Sequence, residues 1–391
     1  MAKRVGIESS LAVADTVKLC DVDVVAAYPI TPQTHIVEHI ADLVANGELD
    51  AEYIPVESEH SAMSACLGSS AAGARTFTAT ASQGLELMHE VLYVASGMRL
   101  PIVMAVANRA VSAPLSIWGD HSDVMSCRDT GWIQVFVENG QEAVDMTVCS
   151  FKIAEDPSVL LPFMINLDGF HLSHVIEPIV IPDEEEVRAF LPQFDYKYRL
   201  DPNHPVAMGD FATPPLFTEA RWAHHMALVN SKKKIVEVWD EFEKTFGRSY
   251  KPVETYKTED AETLLLTMGS FSETAMTAVD EMREQGKKVG LVRIRLWRPF
   301  PFDEIYEAVK GAKTLIVLDR CLSTGGPAGP VASEVKAAIY NKEVKPKVIS
   351  IIGGIGGRDI HDYDFINIVE HGEALAKTND IAPYEIYGVR G

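Results

Sequence analysis

Three side chains of different chemistry stand where α/β proteins place reactive groups. The first is Thr31, in the stretch Tyr28-Pro29-Ile30-Thr31-Pro32-Gln33-Thr34, which follows a mostly apolar run at 22–27. Pro29 and Pro32 cannot donate to a sheet ladder, so they end that strand abruptly and hold the threonine hydroxyl on a stiffened turn. In open parallel sheets the carboxyl ends of the strands are where ligands bind. The plainer alternative is a helix start, with Thr31 or Thr34 as N-cap of a helix over 35–44. Most strand-to-helix turns bind nothing, so turn chemistry by itself favours that alternative.

The second is Glu59, in Glu57-Ser58-Glu59-His60, where a strand at 53–56 gives way to a helix. Acidic residues in a first helical turn are ordinary, because the helix dipole stabilises them, and Glu57 fits that account. Glu59 is less ordinary. The helix it opens carries Ala62, Met63, Ala65, Cys66 and Leu67 and is poor in charge, so it should be buried. A carboxylate kept dry beside such a helix suits proton exchange with a ligand. The third is Arg109, in Asn108-Arg109-Ala110 at the end of a wholly apolar strand over 101–107. A guanidinium there meets a carboxylate, whether a buried side chain or a substrate's, and the residues leave both open. A hydroxyl, a buried Glu and an Arg together suit a small anionic substrate and a proton transfer.

The remaining motifs are weaker. Asp120-His121-Ser122-Asp123 and Cys127-Arg128-Asp129 are expected in a solvated surface loop, ahead of a substrate lid or a subunit contact. The run Gly353-Gly354-Ile355-Gly356-Gly357 lacks the GxGxxG spacing and reads as a flexible turn. His224 and His225 are adjacent on a helix and point to different faces; no histidine has a second ligand at metal spacing, so no metal site is expected. Phosphate-loop, nucleophile-elbow and HExxH signatures do not occur.

The elements that must position these residues form two α/β units. The chain has 391 residues, enough for roughly two to three domains. Apolar strands are expected at 22–30, 53–56, 75–80, 101–108, 132–138 and 159–167, with helices at 35–45, 59–73, 85–98 and 141–154 between them. Continuous rather than alternating apolar runs mark a parallel sheet covered on both faces. From about 178 to 261, acidic residues and prolines mark a connecting region with one long amphipathic helix over 218–246. Trp222, Met226, Val229, Val236, Trp239, Phe242 and Phe246 are its expected buried stripe. A second βα series follows, again read as a parallel sheet. The expected domains are 1–180, a connecting region 181–255, and 256–391.

With 56 acidic against 35 basic residues the formal net charge is -21, which argues against nucleic acid or an anionic membrane surface as partner. Five cysteines without any CxxC spacing argue for a reducing compartment and against a zinc or iron–sulfur site in this chain. No apolar run approaches the ~20 residues of a membrane span, and a soluble, cytoplasmic protein is expected.

The segments carrying the three marked residues resemble those of the 2-oxoacid:ferredoxin oxidoreductase family, specifically alpha subunits of the multi-subunit pyruvate:ferredoxin oxidoreductases. The matching stretches are AAYPITPQT, PVESEHSAMSA, GARTFTATASQGL, LMHE, MRLPIVMAVANRA, SAPLSIWGDHSD and RDTGWIQ, then LDGF with SHVIEP, WRPFP and VLDR. The resemblance implies a thiamine-diphosphate pyrimidine-binding domain followed by a transketolase C-terminal-like domain. It implies that Glu59 hydrogen-bonds the pyrimidine ring of thiamine diphosphate, with Pro29 and Ile30 also against the cofactor, and that Thr31 and Arg109 hold the substrate. Coenzyme A would be a substrate. Mg2+ and [4Fe-4S] clusters would lie on partner beta, gamma and delta subunits, with ferredoxin as electron carrier, and no metal would be bound here. The implied activity is oxidative decarboxylation of pyruvate, or its reverse. Another 2-oxo acid, or a non-catalytic scaffold role, are the alternatives. Trp118, in SAPLSIW, would limit the substrate pocket.

Overall fold

The computed structural model describes residues 3–378 and 382–390. Its larger sheet has seven strands in the order Leu296–Arg298, Ile133–Phe136, Phe163–Asp168, Val103–Asn108, Thr76–Thr80, Val24–Ala27, Glu52–Pro55. The last six run parallel. Thr76–Thr80, Val103–Asn108 and Phe163–Asp168 are buried throughout, as expected of central strands covered on both faces. The two-residue alternation of a strand divides them between two cores. Val103 and Ala105 join Val13, Val17, Ile36, Ile40 and Phe151 on one face. Met104 and Val106 join Met63, Cys66, Leu85 and Met88 on the other.

The second sheet has six strands, in the order Glu385–Ile386, Lys347–Ile352, Thr314–Asp319, Thr263–Thr267, Val289–Ile294, Val253–Tyr256. It is parallel except at Val253–Tyr256, which pairs antiparallel with Val289–Ile294. The two units are joined by more than a linker. Leu296–Arg298 leaves the second unit to pair antiparallel with Ile133–Phe136 of the first, so neither sheet is wholly parallel as the sequence suggested. Leu264, Leu266, Val292 and Trp297 also lie in the same apolar core as Met63 and Met88. Across the same junction Arg295 reaches Glu142 at 2.5 Å and Arg293 reaches Glu138 at 2.5 Å.

Several elements have no counterpart in the sequence reading, among them those that open the chain. Strand Lys3–Glu8 pairs antiparallel with Ile176–Ile181, and helix Ser9–Leu19 follows it with Ala12, Val13, Ala14 and Val17 fully buried. Its serines, alanines and threonine blur any apolar stripe, which is why the segment read as mixed polar. The long helix is Pro214–Phe246, and its stripe is shifted from the expected one. Ile235, Val238, Trp239 and Phe242 enter the core at i, i+3, i+4 and i+7. Of the seven residues expected, Trp239 and Phe242 are buried, whereas Trp222 and Val229 are exposed. The helix packs against Gly140–Ala154 through its C-terminal half, where that buried quartet lies.

Candidate active site

All the parallel strands of the larger sheet end at one edge, and the three marked residues lie along it. Thr31 follows Val24–Ala27, Glu59 follows Glu52–Pro55, and Arg109 follows Val103–Asn108. Topology therefore gathers residues far apart in the chain, because neighbouring strands in the sheet are not neighbours in sequence.

Glu59 is the first residue of helix Glu59–Ala71, whose start is set by Ser58, its hydroxyl accepting from the Ser61 amide at 3.3 Å. It is only 6% exposed. Its carboxylate makes no hydrogen bond or ion pair among the described residues. Buried polar side chains nearly always have a partner, so a largely buried carboxylate without one marks a place for a ligand. The neighbouring Thr80 hydroxyl is also fully buried and unpartnered. Both converge on Gly84 in helix Ser82–Gly97. A Cβ there would lie 2.7 Å from Glu59 Oε1 and 2.5 Å from Thr80 Oγ1. Thr80 and Gly84 lie in the GARTFTATASQGL stretch, but nothing in their types alone set them apart.

Arg109 is 6% exposed. Its Nε donates to the Ser116 carbonyl at 2.8 Å and its Nη1 to the Thr31 carbonyl at 2.9 Å. Burial lowers its pKa. The guanidinium thus ties the Thr31 turn to the loop at 112–118, while Nη2 has no protein partner among the described residues. Thr31 itself is exposed, as is Pro29, and Ile30 is half-buried. The Thr31 hydroxyl makes no hydrogen bond among the described residues. Neither Thr31 nor Thr34 caps the following helix. The residue before Thr34–Ala45 is Gln33, and it does not cap either. Its Nε2 instead turns inward to the carbonyls of Tyr28 at 3.0 Å and Ala79 at 2.9 Å.

The segment Asp120–Asp123 is not a solvated loop. Asp120, His121 and Asp123 are each at most 2% exposed. Asp123 Oδ2 accepts from the backbone amides of Arg109 at 2.9 Å and Ser82 at 3.0 Å, and its Oδ1 from Asn108 Nδ2 at 3.1 Å. Burial pushes this carboxyl up to about 7. It clamps the ends of two adjacent strands and fixes where Arg109 begins. His121 Nε2 meets Asp168 Oδ1 at 2.8 Å. Arg320 of the second unit lies 2.7 Å from the same oxygen, and the Ser270 amide donates to Asp168 Oδ2 at 2.7 Å. Burial alone would raise the Asp168 pKa, but Arg320 and His121 outweigh it and hold the group well below the usual carboxylate range. Of the second cluster, Cys127 is buried, its thiol pushed up to about 12 mainly by burial. Arg128 pairs with Glu334 across the unit boundary at 3.4 Å.

The glycine run is likewise a packed junction rather than a loose turn. Ile355–Gly357 forms a short 3-10 turn, and the Gly356 amide donates to Asp120 Oδ2 at 3.0 Å. Gly357 has φ +77°, and a Cβ on it would come within 2.3 Å of Trp118 Cβ. Only glycine accepts both that backbone and that approach. Trp118 is half exposed and packs on Phe170, ring centroids 4.8 Å apart.

Residues 15–240 match the family described as pyruvate flavodoxin/ferredoxin oxidoreductase, thiamine diP-binding, and residues 261–365 match pyruvate:ferredoxin oxidoreductase core domain II. The chain belongs to the pyruvate:ferredoxin oxidoreductase family. It is 51% identical to pyruvate synthase subunit PorA of Methanocaldococcus jannaschii, over 94% of each chain. To the same subunit of Pyrococcus furiosus it is 49% identical, over 97% of this chain and 96% of that one. Ketoisovalerate oxidoreductase subunit VorA of Pyrococcus horikoshii is 48% identical over 89% and 88%. In fold the chain is similar to a 2-oxoglutarate:ferredoxin oxidoreductase from Magnetococcus marinus, with TM-score 0.71 and 20% identity, covering 94% of this chain and 65% of that one. A split-gene transketolase shares the fold at TM-score 0.56 and 12% identity, covering 95% and 100%. Among the described residues, no helix is long and apolar enough to cross a membrane.

Proposed function

We propose that this chain is the alpha subunit of a pyruvate synthase. With its partners it would interconvert pyruvate and coenzyme A with acetyl-coenzyme A and CO2, exchanging electrons with ferredoxin. The observation that carries this reading is Glu59, a buried carboxylate with no partner among the described residues, packed closely against Gly84. The site fits the aminopyrimidine half of thiamine diphosphate. It offers one acidic group to share a proton with a weakly basic ring nitrogen, an unpaired hydroxyl beside it, and a glycine where a side chain would intrude. When bound, that cofactor supplies the nucleophilic carbon and the electron sink for the decarboxylation.

The chain's own residues then have distinct tasks. Glu59 would share a proton with the pyrimidine ring, and Pro29 and Ile30 of the exposed turn would also contact the cofactor. Arg109, kept short of solvent and anchored by two carbonyls, presents its free Nη2 to the substrate carboxylate, and the Thr31 hydroxyl takes the neighbouring oxygen. Holding the carboxylate in place orients the bond to be broken. The diphosphate, its Mg2+ and the [4Fe-4S] clusters fall to the partner beta, gamma and delta subunits. The five cysteines are free and buried, a poor donor set for a cluster, which needs clustered thiolates. Those free thiols accord with a reducing cytoplasm.

Pyruvate is favoured over other 2-oxo acids because the most similar relatives named above are pyruvate synthase subunits. A ketoisovalerate enzyme at 48% identity keeps the branched substrate as the second reading. The test is Glu59→Gln in the assembled complex, followed by viologen reduction with pyruvate and coenzyme A. Turnover should fall about 10²–10⁴-fold, with assembly unchanged by size-exclusion chromatography. Near-normal turnover would remove Glu59 from the reaction.

A further inference from the structure

One cluster of ligating side chains has no task in that reaction. Glu8 ends strand Lys3–Glu8, His35 lies in the first turn of helix Thr34–Ala45, and His174 lies in the turn after Phe163–Asp168. Each offers one ligating atom, and these atoms all lie within 4.8 Å of one another. His35 Nδ1 is 2.7 Å from Glu8 Oε1. The two imidazoles fan beside each other, centroids 4.4 Å apart and planes 33° apart. Ser173 Oγ is 2.8 Å from His174 Nδ1, which leaves Nε2 of that ring as the nitrogen without a hydrogen bond among the described residues.

We propose that Glu8, His35 and His174 form a binding site for a divalent transition metal of the zinc class. Two imidazoles and one carboxylate are a donor set that zinc accepts, at about 2.0–2.2 Å per bond. Tetrahedral geometry at those lengths puts ligand atoms about 3.4 Å apart. Magnesium and calcium are poor candidates, since both favour all-oxygen shells. The His35 side chain is 43% exposed, so water has access to the fourth position. The Ser173 hydroxyl does what groups behind metal-bound histidines do, fixing tautomer and ring orientation. The sequence hides this site because its three ligands share no local spacing.

The metal would clip the N-terminal strand to two segments that frame the candidate active site. One is the helix start just after Thr31. The other is the turn that carries Phe170, whose ring lies 4.7 Å from His174 and 4.8 Å from Trp118. The plain alternative is a His35–Glu8 hydrogen bond with a second imidazole stacked on it and no metal affinity.

Calorimetric titration of Zn2+ into the full chain separates the two, using protein purified without an affinity tag and stripped by chelator. The expected result is one saturable equivalent, weakened at least about tenfold in each of Glu8→Gln, His35→Gln and His174→Gln. Ser173→Ala, which removes no ligand, should weaken it by about 10–100-fold, and His204→Gln should leave it unchanged. Far-ultraviolet circular dichroism checks that each variant folds; Ser173→Ala and the wild-type Co2+ absorption spectrum decide the matter if a ligand variant does not. No saturable equivalent in the wild type, or equal affinity in wild type and Ser173→Ala, overturns the proposal.

Discussion

Replacing Gly84 with alanine tests the geometry of the candidate site without touching a polar group. In most helices Gly→Ala gains about 0.5–1 kcal/mol, because glycine loses more backbone freedom on folding. Gly68, in helix Glu59–Ala71, should follow that rule, since a Cβ on it meets nothing within 4 Å. At Gly84 the added carbon would stand 2.7 Å from Glu59 Oε1, 2.9 Å from Glu59 Cγ and 2.5 Å from Thr80 Oγ1. Those groups are buried, so relief means moving the Glu59 side chain off its rotamer or displacing the helix. Overpacking of this kind costs about 1–3 kcal/mol. Set against a gain of at most about 1 kcal/mol, Gly84→Ala should be net destabilising by up to about 2 kcal/mol. Gly68→Ala should be neutral or stabilising. The larger effect should be on turnover, because the added carbon would displace the Glu59 carboxylate itself. Chemical denaturation gives the stability difference, and viologen reduction by the assembled complex gives turnover. If Gly84→Ala matched Gly68→Ala in both measurements, the placement of Glu59 against Gly84 would not matter to the reaction.

Three further outcomes follow from the same contacts. Arg109→Lys cannot hold both the Ser116 and Thr31 carbonyls while presenting a free N–H. The loss of a charge-assisted hydrogen bond, about 1.5–3 kcal/mol, predicts kcat/KM for pyruvate down about 10–100-fold, and an unchanged value would exclude it from substrate binding. Asp168 has a pKa below its ordinary value near 3.8, so the stability it contributes is present above that pH and is lost as pH falls below it. Acid denaturation should therefore steepen below about pH 4 in the wild type and less so in Asp168→Asn. That variant should also lose about 3–5 kcal/mol at neutral pH by leaving Arg320 buried without its partner; a smaller loss with an unaltered acid profile would show the pair to be dispensable. Trp118→Ala should raise kcat/KM for 2-oxoisovalerate relative to pyruvate by about tenfold. An unchanged ratio in a substrate panel would move the specificity wall elsewhere.

Much of the larger sheet was legible because its central strands, such as Val103–Asn108, are apolar on both faces, and only a doubly covered parallel sheet asks for that. The turn around Thr31 and the charge-poor helix after Glu59 were legible for a related reason. Proline placement and the absence of charge are local properties, written in consecutive residues. The helix over Ser9–Leu19 was not, since it is buried on nearly all sides and its small residues show no stripe. The polar segment Asp120–Asp123 misled because four polar residues in a row look solvated until each is given a buried partner.

Residue order alone determined which groups end which strands, and so which chemistry was available: a hydroxyl, a carboxylate and a guanidinium at three strand ends. Only the tertiary structure decided that the Glu59 carboxylate has no partner among the described residues, that Gly84 and Thr80 stand against it, and that Asp168 and Arg320 lock the second unit to the first. Hydrogen bonds and close approaches between segments a hundred or more residues apart depend on strand order and on how sheets and helices stack. Those are settled by packing the whole chain at once, and no short window of sequence carries them.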